Sequence, residues 1–158
     1  MAESPLQVYI YAADATDQET ALQILSEAGL EFGFDRTDTP ATLALGELYG
    51  TYEEWDGQWA EVARRLIERA PSAVFELWQD PSEDRDGSYV AHVPAVGTVE
   101  TGCDLNGIPH VNLPELLDRL SALPEGTTVA DWLSGDGSAF LGSAVLHALK
   151  PYKAVAGR

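Results

Sequence analysis

Four side chains have the types and spacing that chemistry needs: His92, Cys103, Asp104 and His110. Ser88 to Val93 and Thr98 to Cys103 read as two strands joined around Ala95-Val96-Gly97. With the turn centred on Gly97 and Thr98, position 92 falls opposite position 103, so an imidazole and a thiol would meet across a hairpin. Such a pair suits a nucleophile and its base, and with Asp104 and His110 nearby it suits a zinc ion. The spacing follows no metal signature, and thiol and imidazole also meet in sheets as plain packing neighbours. His92, Cys103 and Asp104 are thus the expected site of a small enzyme or a ligand- or metal-binding domain. His147, among Ala144, Val145 and Leu149, reads as a packing residue. No cofactor is implied.

Nucleotide motifs fail in detail. Gly135-Asp136-Gly137 opens like a dinucleotide fingerprint, but Phe140 stands where the third glycine belongs and a short helix precedes it. There is no phosphate-binding G-x-x-x-x-G-K-[ST] and no G-x-S-x-G elbow. Asp80-Pro81-Ser82-Glu83-Asp84-Arg85 resembles a calcium loop for three positions, until Arg85 takes the place that needs glycine.

Charge carries the alternative. The 158 residues hold 26 acids against 9 bases, a net charge of −17. Residues 1–63 contain a single base, Arg36, whereas 137–158 contain Lys150, Lys153 and Arg158 and no acid. Such a field repels nucleic acid and anionic membrane and attracts basic protein surfaces. With no convincing catalytic motif, the expected function is a non-catalytic acidic binding protein. It would engage a nuclease or DNA-binding protein, as an immunity-type inhibitor or a DNA mimic. Asp14, Asp17, Glu27, Glu31, Asp35, Asp38, Glu53, Glu54 and Asp56 form the expected partner-binding face. The mimicry idea relies on carboxylates three and four residues apart on a helix, about 5–6 Å from one another. A third reading is a structural subunit with Tyr9, Tyr11 and Trp78 as its interface.

These residues need a frame. Leu6 to Ala12 alternates as a strand, and Thr16 with Glu19 forms a capping box for a helix through Leu22, Leu25 and Ala28. Glu31 to Asp35 and Thr42 to Gly46 read as short strands. Thr51 with Glu54 reads as a second capping box, opening a helix to Arg69 with Tyr52, Trp55, Trp59, Val62, Ala63, Leu66 and Ile67 on one stripe. Ala73 to Gln79 follows as a strand with Phe75 and Leu77 on one face and Val74, Glu76 and Trp78 on the other.

The order is β-α-β-β-α-β, so the expected fold is α+β, a ferredoxin-like core over 6–79 within one domain, 1–158. A β-hairpin and C-terminal helices over 80–158 complete it. Asn112 with Glu115 caps one of these helices, Thr128 to Leu133 is a short one, and Ser138 to Leu149 is the last, stopped by Pro151. The first and fourth strands should be neighbours, which brings Tyr9, Tyr11 and Trp78 together on the face away from the first two helices. The later helices should cover that face. A lone cysteine, no leader-like N-terminus and no apolar run near 20 residues point to the cytoplasm.

Overall fold

The computed structural model describes residues 3–34, 38–55 and 57–158. It is a mixed α+β fold, with an open antiparallel sheet of seven strands and six helices among the described residues. The strands are β1 (Glu3–Ala12), β2 (Glu31–Phe32), β3 (Leu48–Trp55), β4 (Val74–Gln79), β5 (Gly87–Val93), β6 (Gly97–Cys103) and β7 (Pro109–His110). The helices are α1 (Ala15–Glu27), α2 (Gln58–Arg69), α3 (Leu113–Ser121), α4 (Val129–Ser134), α5 (Asp136–Leu141) and α6 (Ser143–Val155). The sheet runs β2-β3-β1-β4-β5-β6-β7, so the first and fourth strands are neighbours and the hairpin β5–β6 prolongs the sheet beside β4.

Two cores follow from the two faces of the sheet. Leu6, Val8, Ile10, Leu25, Val62, Leu66, Phe75 and Leu77 share the first with the inner sides of α1 and α2; Leu22 and Trp59 pack against its margin. Tyr11, Val74, Trp78, Tyr89, Val99, Val145 and Leu149 form the second, where α6 lies on the opposite face. All six residues of β4 are buried, because helices cover it on both sides.

Several local expectations are corrected. Thr51 does not cap a helix: Thr51 to Trp55 belong to β3, which pairs with β1 through Val8–Tyr49 and Leu6–Thr51, and α2 starts only after Gly57. Tyr49 decides this segment, since its buried ring packs edge-on to Phe32 at 5.6 Å and its hydroxyl accepts the Ala44 amide at 3.0 Å. The expected strand at Thr42 to Gly46 is irregular chain, with Leu43 buried and the Gly46 amide bonded to the Ile10 carbonyl at 2.8 Å.

At the start of α1, Asp14 is the cap rather than Thr16, its Oδ1 accepting the Asp17 amide at 2.9 Å. Pro151 does not stop the last helix but lies inside α6. A mid-helix proline costs roughly 3 kcal/mol against alanine, so tertiary contacts beyond it must hold this helix. The expected single helix from Ser138 is broken at Gly142, which has φ 63° and sits where an added Cβ would be 2.1 Å from Val99. Close approach to the sheet and a left-handed backbone both call for glycine there.

Candidate functional site

The hairpin register separates the expected chemical pair. Val93 pairs with Gly97, so His92 faces Thr98 and Cys103 faces Gly87. Five residue steps of strand, roughly 17 Å, separate Thr98 from Cys103. The turn is centred on Ala95 rather than between Gly97 and Thr98, with Ala95 in the left-handed region at φ 67°. His92 bonds Thr98 Oγ1 at 2.7 Å and packs beside Phe75. Asp104 Oδ1 accepts the amides of Asn106 and Ile108 at 2.8 and 3.0 Å, shaping the turn before β7, and His110 pairs with Gly102. Among the described residues no three His, Cys, Asp or Glu side chains come together as a metal site.

Burial, reinforced by the carboxylates of Asp80 and Asp104, pushes the Cys103 thiol up to about 12. Thiolate is the reactive form, so native Cys103 is expected to resist a thiol reagent at neutral pH and to label fully after unfolding in denaturant. Timed labelling followed by mass measurement checks this; rapid native labelling would contradict the burial assignment.

The nine carboxylates of the expected binding face do not share one role. Asp35 and Asp56 lie outside the described residues. Glu53 and Glu54 are on β3, not on a helix, so the helical carboxylate spacing required for DNA mimicry is not built there. Asp17 is buried: its Oδ2 accepts the Ser72 amide at 2.7 Å and the Ser72 hydroxyl at 2.6 Å, tying α1 to the turn before β4. Glu27, at the far end of α1 from Asp14, pairs with Arg65 and accepts Gln23 Nε2; those bonds hold its carboxyl below the ordinary range.

Glu31 of this set lies on a groove. The outer side of α1 and the chain from Thr39 to Leu43 enclose a cavity of about 620 Å³, walled by Leu22, Leu43, Ala15 and the Gln18, Glu19 and Gln23 stems. A second cavity of about 290 Å³ shares Leu22 and Ser26 with it and reaches Phe32, Pro40, Tyr49 and Glu31. Exposed Glu19 lines the first cavity and exposed Glu31 the second, and exposed Asp14 and Asp38 directly precede the lining residues Ala15 and Thr39. Among the described residues no lysine or arginine lines either cavity. The combination is an apolar floor with an anionic rim. Glu19 belongs to it although its place in the sequence suggested only a helix cap.

A second polar centre was not expected from the sequence. Glu76, 1% exposed on β4, accepts hydrogen bonds from Tyr11 Oη on β1 at 2.5 Å and from Tyr89 Oη on β5 at 2.7 Å. Lys153 Nζ of α6 lies 3.3 Å from Oε1, and Arg158 pairs with the same oxygen. Burial alone would raise the Glu76 carboxyl; the two hydroxyls and two cations outweigh it and hold the group below the ordinary carboxylate range. The same burial, with the Glu76 charge, drives both tyrosine hydroxyls well above their usual value. The signal available in sequence was a lone glutamate in the middle of an otherwise apolar strand, which must find partners if both faces are covered.

No protein-family model, curated protein or solved structure matches this chain. Among the described residues no helix is long and apolar enough to cross a membrane.

Proposed function

We propose that this protein is a non-catalytic binding protein that captures a cationic protein segment in the groove beside α1. One observation carries the reading: an apolar channel floored by Leu22, Leu43 and Phe32 is rimmed by the exposed carboxylates Glu19 and Glu31, with exposed Asp38 next to its lining residue Thr39. Apolar floor favours burial of a side chain or two, and the rim selects for positive charge and accelerates encounter. A basic enzyme that handles nucleic acid is the partner class, and an immunity-type inhibitor of a nuclease is the corresponding role. We read the groove as lying on a ferredoxin-like core; the support is the neighbour order β4-β1-β3-β2 with α1 and α2 against one face.

The test begins with capture from the host's lysate at low salt, release at high salt, and kinetics on the recovered protein. Glu19→Lys with Glu31→Lys and Asp38→Lys should slow association at low salt by about 10-fold or more, with a smaller change in dissociation. Reversing Glu83, Asp84 and Asp86, an equal charge change on the exposed loop before β5, should slow it far less. Equal slowing by both triples would assign the effect to net charge and remove the groove from the reading.

A further inference from the structure

The second polar centre has the construction of a ligand site with a guest already in it. Tyr11, Tyr9 and Trp78 form a row of nearly parallel rings, with centroids 6.1 and 5.7 Å apart and interplanar angles of 7° and 15°. The guanidinium carbon of Arg158 lies 3.7 Å from the Tyr9 ring centroid and 5.6 Å from that of Trp78. One of its nitrogens, Nη1, donates to both Glu76 Oε1 and Tyr11 Oη. A flat cation is therefore held on its face by a ring and at its edge by a buried carboxylate. These two contacts together distinguish guanidinium from ammonium, which is a strongly hydrated point charge with no face to stack.

Host and guest come from different parts of the fold. Every wall residue stands on a central strand: Tyr9 and Tyr11 on β1, Trp78 and Glu76 on β4, and Tyr89 on β5. The guest follows α6 across one turn, in which Gly157 has φ 78° and the Arg158 amide bonds back to the Lys153 carbonyl at 2.9 Å. The walls are fixed by sheet hydrogen bonds that do not involve Arg158. Removing the guest leaves Glu76 with Tyr11, Tyr89 and Lys153, so the carboxylate is not stranded.

We propose that the recess formed by Tyr9, Tyr11, Trp78 and Glu76 is a guanidinium-recognition site that Arg158 occupies in cis, and that it accepts an external guanidinium when Arg158 is withdrawn. The site is separate from the groove beside α1 and stands whether or not that groove binds a partner.

Chemical rescue tests it. Arg158→Ala should melt at a lower temperature than the wild-type chain. Methylguanidinium at about 10 mM should recover at least half of that deficit, as expected for a ligand that binds only the folded state. Methylammonium at the same concentration should recover none, and neither cation should shift the wild-type chain. Adding Tyr9→Leu to Arg158→Ala should abolish the rescue by removing the stacking face. Free arginine and an end-blocked Gly-Arg-Gly peptide separate the sources: rescue by the peptide points to a side chain of another protein, rescue by arginine alone to a small molecule. If Arg158→Ala does not fold, Arg158→Lys keeps a cation and is read in the same way. Equal effects of methylguanidinium and methylammonium on the variant, or no effect of either, would overturn the proposal.

Discussion

Glu76→Gln should lower the stability of the fold by about 3–5 kcal/mol, the range for breaking a buried ion pair by removing one partner. Four groups lose their anionic acceptor at once: the hydroxyls of Tyr11 and Tyr89, the Lys153 ammonium and the Arg158 guanidinium. Both cations are partly exposed and can turn to solvent, whereas Tyr89 is 1% exposed and has nowhere to go. Each buried hydroxyl left without an acceptor adds about 1–3 kcal/mol of desolvation cost. The loss should also loosen α6, whose far end carries Pro151 and is held to the sheet by Lys153 and Arg158. Hydrogen exchange should rise first in α6. Glu76→Leu combined with Tyr11→Phe and Tyr89→Phe should recover part of the stability, because the unmet groups go with the charge. A Glu76→Gln midpoint in denaturant indistinguishable from wild type would refute the anchor.

The same group sets an acid limit. Glu76 titrates below its ordinary value of 4.5 in the fold and near that value when unfolded. Its contribution is therefore fully present above pH 4.5 and is lost as pH falls through the lower, folded value. Glu76→Gln should flatten this part of the stability–pH curve.

Leu66→Ala should cost about 2–5 kcal/mol, as a large-to-small change at a site that cannot collapse. Leu66 is 0% exposed on α2 and belongs to the cluster that joins Leu25 of α1, Val8 and Ile10 of β1 and Phe75 and Leu77 of β4. Its removal opens space among residues of four elements, two of them central strands held by sheet hydrogen bonds. The effect should appear as a lower denaturant midpoint with an unchanged slope. A loss below about 1 kcal/mol would place Leu66 at the margin of this core instead.

Much of the frame was legible because local patterns repeat with the period of the element that forms them. Alternation along Leu6 to Tyr11 and Ala73 to Trp78 separated the residues of the two cores correctly, and the neighbour relation of the first and fourth strands followed from element order. The Thr51–Glu54 pair misled because a capping box is a contact of a few residues. The strand at Leu48 to Trp55 is stabilised instead by β1 across the sheet, more than forty positions earlier in the chain. The His92–Cys103 pair failed because the turn is centred on Ala95 rather than between Gly97 and Thr98, which moves the partner of His92 from position 103 to position 98 and changes every other partner with it.

Composition alone established that the chain is strongly acidic and that its first 63 residues hold almost no compensating cation. Only the tertiary structure decided where the carboxylates lie. It buried Asp17 against Ser72, paired Glu27 with Arg65, and set Glu19 and Glu31 on the lining of a groove. It also joined Glu76 to Arg158, 82 positions apart. Nothing in the local sequence around either residue specifies the other. They meet because β4 is buried on both faces and a charge placed there must be met by whatever element closes over it.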